Sequence, residues 1–228
     1  MILPCEQFNP EGKSLEELRN IQLKIASNVA LSDHIGTLKT VAGADCSYIE
    51  DRIIAVIVVT DISSLEVLEQ KYIVQPVKMP YISTYLSFRE GYPLCCVFQE
   101  LRIKPDLMLV DGCGISHPRG AGIATHLGVV LNVPTIGISK KVLCGKSVAP
   151  IKQGEANPLI HESKHIGWLL KSTKTSKPII VTPGHYISVK SALSMTKMFL
   201  KGYKLPEPIR LADNFAYMIR SQLRSKVK

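Results

Sequence analysis

Asp106-Leu107-Met108-Leu109-Val110-Asp111-Gly112-Cys113-Gly114 is the stretch that decides the fold. Its apolar part shows no polar alternation, so it reads as a strand buried on both faces, the mark of a central strand in a sheet covered by helices. An acid and two glycines follow at its carboxyl end, where open α/β sheets gather their sites. Downstream, helical periodicity runs from Gly122 to Leu131, and Pro134 to Ser139 reads as another buried strand. Ile166 to Leu170 and Ile179 to Thr182 look like two more, with helices from Ser188 to Leu200 and from Pro208 to the end. Upstream, a helix is expected from Pro93 to Ile103, preceded by strand-like runs Val41 to Tyr48, Arg52 to Ile62 and Val67 to Val77. The short turn at Ile49-Glu50-Asp51 suits an antiparallel hairpin. A first helix is expected from Ser14 to Leu31, because Ser14 with Glu17 forms a capping-box pattern and Leu18, Ile21, Ile25 and Val29 recur at helical spacing. Strands followed by alternating strand and helix predict an α/β fold with helices on both faces, in one domain over residues 1–228.

Composition bounds the partners. The 228 residues are 46% hydrophobic, enough for a sizeable core. The longest apolar run, Ile53 to Val59, falls far short of the ~20 residues of a membrane span. Met1 to Pro10 lacks the basic and apolar regions of a signal peptide. A soluble, cytoplasmic monomer with no membrane partner is expected. Six cysteines (Cys5, Cys46, Cys95, Cys96, Cys113 and Cys144) show no C-x-x-C pair and sit mostly in apolar runs, so reduced, structural thiols are expected. A net charge of +9 favours a polyanion such as nucleic acid, since Lys and Arg contacts to phosphate release counterions.

Four acids stand out. Asp45 lies inside an apolar strand, in Gly43-Ala44-Asp45-Cys46-Ser47-Tyr48, and Asp111 ends the central strand. A carboxylate there is costly to bury unless it is paired or bound to a cation. Glu90 lies just before a helix, and Asp213 near the start of the last one. Singly, three have a structural explanation, a turn for Asp111, a solvated pair with Arg89 for Glu90 and a helix-dipole partner for Asp213, whereas Asp45 is the least easily dismissed. Together, hard carboxylate oxygens without a Cys or His cluster suit Mg²⁺ or Mn²⁺ rather than zinc. After Asp111, three glycines with Ser116 let the backbone approach a ligand and lead into a helix amino end that favours anions. Arg119 adds a phosphate donor, whereas His117 alone reads more readily as a capped or packed histidine.

Nearly the whole chain resembles the endonuclease V family. The resemblance rests on seven blocks in one order. They are Asp45-Cys46-Ser47-Tyr48, Pro80-Tyr81-Ile82, Leu86-Ser87-Phe88-Arg89-Glu90, and Asp111-Gly112 through His117-Pro118-Arg119. Thr135-Ile136-Gly137-Ile138-Ser139-Lys140, Thr182-Pro183-Gly184-His185 and Leu205 through Asp213 complete the series. The resemblance implies a ribonuclease-H-like fold with a central mixed sheet. It places divalent metal on Asp45, Glu90 and Asp111, with Asp213 at a fourth, variable position. His117 and Lys140 would assist at the cleaved phosphate, Tyr81 would be the wedge that fills the gap left by a flipped base, and Gly112 would read that base through its main chain. Pro80, Ile82, Leu86, Gly114 and Arg119 complete the expected substrate contacts.

The implied activity is a DNA repair endonuclease that cuts the second phosphodiester bond 3′ to deoxyinosine, with Mg²⁺ and with Mn²⁺ as a substitute, leaving 3′-hydroxyl and 5′-phosphate ends. An inosine-specific ribonuclease of the same fold and a non-catalytic damage-binding protein are the alternatives. Many members follow the wedge with proline and glycine, where this chain has Ser83-Thr84. That departure bears on wedge geometry and base selectivity, not on the acids. The basic residues Arg220, Arg224, Lys226 and Lys228 either track a nucleic acid backbone or form a solvated helix end.

Overall fold

The computed structural model describes residues 4–225. Lys226 and Lys228 lie outside the described residues. A short 3-10 helix, Pro4–Phe8, and α1, Leu15–Ser27, open the chain. Ser14 caps α1 as its sequence predicts, with Glu17 N–H donating to the serine hydroxyl and the Ser14 N–H donating to the Glu17 carboxylate. The strands β1 (Thr40–Ile49), β2 (Arg52–Asp61) and β3 (Val67–Pro76) form an antiparallel meander, with Glu50 and Asp51 turning between Ile49 and Arg52. Then come α2 (Leu86–Glu100), β4 (Leu107–Asp111), α3 (Ile123–Leu131) and β5 (Thr135–Ser139). β6 (Ala156–His161), β7 (Lys164–Leu170), β8 (Ile179–His185), α4 (Val189–Met198) and α5 (Glu207–Ser225) follow. All eight strands join one mixed sheet in the order β3-β2-β1-β4-β5-β8-β7-β6.

The period of two along the strands sorts the core into two sides. On β4, Met108 and Val110 pack with α2 and α3, whereas Leu107 and Leu109 face the side of α4 and α5. On β1, Ala42 and Ala44 go with α2 and α3, and Val41 goes with α5. Ile54, Val56 and Val58 of β2 meet Ala212, Phe215, Ala216 and Ile219 of α5. Helices therefore cover both faces, as expected.

Gly43 lets α5 reach β1. A Cβ at Gly43 would lie 1.9 Å from the Pro208 carbonyl oxygen, so only glycine admits the first turn of α5 here. This contact carries Asp213 in over the carboxyl end of β1.

Some boundaries differ from the sequence reading. α1 ends at Ser27, not Leu31. α2 begins at Leu86 and carries Pro93 inside it. The proline reads as a helix start because it suits the first turn, but here it sits on the second. β6 carries no strand pattern in the sequence, because Asn157-Pro158 weakens it; it is an edge strand, where a proline costs no ladder bond. Among the described residues, no helix is long and apolar enough to cross a membrane, and no disulfide forms.

Candidate active site

Register brings Asp45 and Asp111 together. β1 and β4 run parallel, and their last paired residues are Ala44 and Val110, so each acid is the next residue on its strand. Both continue the odd-numbered series that faces α5. Asp45 is 9% exposed, and the Cys46 N–H donates to its Oδ1 at 2.7 Å. Burial, reinforced by the charges of Asp111 and Asp213, pushes the Asp45 carboxyl up to about 8. A carboxylate held so far above its usual range is under pressure to gain a proton or a cation.

Lys140 follows β5, the neighbour of β4, and its Nζ sits 2.7 Å from Asp111 Oδ2. Burial alone would lower the lysine, but the ion pair with Asp111 outweighs it and holds the ammonium above its ordinary value. Glu90 enters from α2 on the opposite side of the sheet. Burial, with the charge of Asp111, raises its carboxyl to about 7, although Tyr48 Oη donates to Glu90 Oε1 at 2.6 Å. Arg89 Nε donates to the same tyrosine oxygen at 2.9 Å, its guanidinium lies 4.6 Å from the Tyr48 ring centre, and Nη1 bonds the Met79 carbonyl.

A second cluster lies at the segment Pro80 to Tyr85. Tyr81 projects into solvent at 70% exposure, beside an exposed Pro80, while Ile82 packs on Leu18, Met79 and Phe88. Thr84 has φ +70°, a left-handed conformation that glycine adopts freely and threonine seldom does. Its carbonyl oxygen is within hydrogen-bond reach of Gln22 Nε2 and His117 Nε2 at 2.8 Å, and of Arg119 Nη2 at 3.0 Å. Arg119 Nη2 also donates to the Thr84 hydroxyl, Nε donates to Gln22 Oε1, and the guanidinium lies 4.7 Å from the Tyr85 ring centre. Tyr81, Thr84, Leu86 and His117 line a narrow pocket with Cys113 and Gly122 at the amino end of α3.

A sequence model of the endonuclease V family matches residues 23–214. The endonuclease V of Archaeoglobus fulgidus is 42% identical over 219 residues, covering 94% of this chain and 98% of that relative. The enzyme of Dictyoglomus thermophilum is 40% identical over 202 residues, 88% of this chain and 89% of its own. The chain belongs to the endonuclease V family. Among solved structures, the Bacillus subtilis endonuclease V superposes with a TM-score of 0.91 at 28% identity, covering 98% of both chains. The catalytic domain of human endonuclease V gives 0.86 at 30% identity, over 94% of this chain and 99% of that one. Membership makes the protein a nuclease with a ribonuclease-H-like fold and nucleic acid as its partner.

Within this endonuclease V chain, the expected site residues separate into the two clusters. Asp45, Asp111, Asp213, Glu90 and Lys140 are linked electrically, whereas Tyr81, Leu86 and His117 belong to the pocket. His117 is 4% exposed; its Nδ1 accepts from the Arg119 N–H at 3.1 Å, which leaves the Nε2 proton to be donated to Thr84. Burial lowers its imidazole to about 4. Nδ1 is held by the backbone of its own segment and Nε2 is spent on Thr84, so the ring acts as a post for Thr84. Arg119 is likewise engaged within the protein. The Gly112 N–H donates to the Ile138 carbonyl and the Gly114 N–H to the Thr182 hydroxyl, both at 2.8 Å. A Cβ at Gly112 would lie 2.3 Å from Ile123 Cγ2, so its missing side chain admits a helix residue.

Sequence reasoning missed Gln22, and it gave no supporting role to Tyr48 or Arg89 and no partners to Thr84. Gln22 did carry a signal, as a polar residue within the helical stripe of Leu18 and Ile25. It is fully buried.

The donor set fits a hard divalent cation. It offers only carboxylate oxygens, and two of its acids are held well above their usual range. Among the described residues, no three His, Cys, Asp or Glu side chains stand close enough to enclose an ion as placed. Tyr48 occupies an oxygen of Glu90, and Lys140 an oxygen of Asp111.

Proposed function

We propose that this nuclease hydrolyses the second phosphodiester bond 3′ to a deoxyinosine in DNA, leaving 3′-hydroxyl and 5′-phosphate ends. The observation that carries the reading is that Asp45 and Asp111 each follow the last register pair of β1 and β4, with Lys140 on the latter at 2.7 Å. In hydrolysis, a water oxygen bonds to phosphorus and the bond from phosphorus to the 3′-oxygen breaks. Burial beside Asp111 makes Asp45 a carboxylate that a bound cation would keep ionised, so its part is to hold that cation and not to take the proton that water gives up. Lys140, held protonated, places positive charge where the phosphate and the leaving 3′-oxygen gather negative charge. Asp45, Glu90, Asp111 and Asp213 would hold Mg²⁺, or Mn²⁺ in its place, which supplies activation of water and neutralisation of phosphate charge.

Base selection falls to the second cluster. Exposed Tyr81 is placed to fill the gap in the stack when a base turns out, offsetting part of an unstacking cost of a few kcal/mol. The pocket behind it, floored by Gly122 and walled by Leu86 and His117, suits a purine edge. His117 serves by fixing Thr84 and not by touching phosphate. The work takes place in the cytoplasm.

The test is cleavage of matched strands, one carrying deoxyinosine in DNA and one inosine in RNA, with product ends mapped. A cut at the second bond 3′ to deoxyinosine with a 5′-phosphate is expected. Cleavage of the RNA strand alone would transfer the assignment to a ribonuclease of the same mechanism, and binding without cleavage would indicate a damage-binding protein.

A further inference from the structure

A polar groove of about 520 Å³ runs from the end of β1 along α5, sharing Asp213 with the acid cluster and otherwise extending beyond it. Its floor is Cys46, Ser47 and Tyr48, and its wall is Asp213, Asn214, Tyr217 and Arg220. Tyr217 is 62% exposed, with the Arg220 guanidinium 5.3 Å from its ring centre. Among the described residues, no carboxylate pairs with Arg220. An exposed aromatic ring, a guanidinium with no carboxylate partner and a side-chain amide match one nucleotide of an unpaired strand, which offers a base to stack and a phosphate to neutralise.

Its position gives the strand a direction. The pocket behind Tyr81 is lined by Ser87 and Cys113, which lie close in sequence to Glu90 and Asp111. The groove is lined by Cys46, next to Asp45, by Tyr48, bonded to Glu90, and by Asp213 itself. The acids therefore adjoin both the pocket and the groove. We infer that the groove is a second nucleic-acid subsite that takes the unpaired strand 3′ of the cut, with a base on Tyr217 and its phosphate on Arg220. The direction rests on the proposed function, in which the inspected base lies 5′ of the cut bond. A generic solvated helix face would make no distinction between the two arms of a substrate.

The test is kcat/KM on single strands with deoxyinosine at a fixed place and one arm shortened a nucleotide at a time. As the 3′ arm lengthens, the wild-type advantage over Tyr217→Ala should grow about tenfold, mainly through KM, a size that fits stacking of one base. Tyr217→Phe keeps the ring face and should restore the advantage. Arg220→Ala should flatten the salt dependence on long 3′ arms by about one phosphate contact. A Tyr217→Ala enzyme that tracks wild type at every length, or that responds to the 5′ arm instead, overturns the inference. A wild type that cuts no inosine strand sinks the functional reading separately. The groove is then judged by fluorescence anisotropy of a labelled single strand, where about tenfold weaker binding by Tyr217→Ala supports it and equal binding overturns it.

Discussion

Arg119 Nη2 donates to both oxygens of Thr84, at 2.7 Å to the hydroxyl and 3.0 Å to the carbonyl. The two residues are far apart in the chain, one at the amino end of α3 and the other just before α2. Their contact, with Gln22 and His117, holds a left-handed threonine where many family members place glycine. The loop that presents Tyr81 is therefore fixed by side chains from α1 and from the glycine-rich segment, and does not depend on a permissive backbone.

Arg119→Ala should remove this latch and leave Gln22 Oε1 without its donor. Loss of charged, part-buried hydrogen bonds predicts a cost of about 2–3 kcal/mol in thermal or urea unfolding, together with a raised KM for an inosine strand. Thr84→Gly relieves backbone strain but loses the hydroxyl contact, and should stay within about 1 kcal/mol of wild type. Equal stability of Arg119→Ala and wild type would show that the latch carries no load.

Gly43→Ala places a methyl group against the backbone of Pro208, which has no side chain to swing aside. α5 must lift from β1, so a loss of about 3 kcal/mol is expected, with Asp213 withdrawn and nicking reduced. Gly36→Ala, where nothing lies within 4 Å, serves as the control and should be near neutral. Paired thermal melts and nicking assays decide the matter, and a Gly43→Ala protein as stable as the control would refute this account of how α5 docks.

His126 is fully buried between the rings of Phe8 and Phe88, at 4.3 and 5.4 Å between centres, and neither ring nitrogen has a partner. Burial pulls its imidazole down from 6.5 to about 3. Between these values the unfolded chain takes up a proton that the folded one refuses. Stability is therefore full above 6.5 and falls as pH drops toward about 3, by at most about 1.4 kcal/mol per pH unit from this residue. Burial of His117 adds a loss of the same sign. His126→Phe should raise stability near neutrality by about 1–2 kcal/mol and flatten the acid side of a urea-unfolding series. An unchanged pH slope would contradict this.

What the sequence disclosed follows the range of the interactions involved. β1, β2, β4 and β5 are legible because strands buried on both faces need unbroken apolar runs, and Asp45 stands out because an acid breaks one. β6 is not legible, since an edge strand tolerates Asn157-Pro158 and fully buries only Leu159. The start of α2 is hidden because Pro93 carries the signal of a first turn while occupying a later one. At the site, the acids are readable by type and place. The roles of His117 and Arg119 are not, because their partners Thr84 and Gln22 lie 33 to 97 residues away. Nothing local tells whether a histidine faces phosphate or a carbonyl.

The most direct test of the central claim is nicking of a duplex with one deoxyinosine by wild type and Asp45→Asn, each with Mg²⁺ or EDTA. Asparagine keeps the shape of Asp45 but removes the charge with which it would hold a cation. The account predicts a metal-dependent nick at the second bond 3′ to the lesion, with a loss of at least about a thousandfold in the folded variant, in line with removal of a principal catalytic group. A wild-type nick that persists in EDTA, or an Asp45→Asn enzyme of near-normal rate, would contradict it.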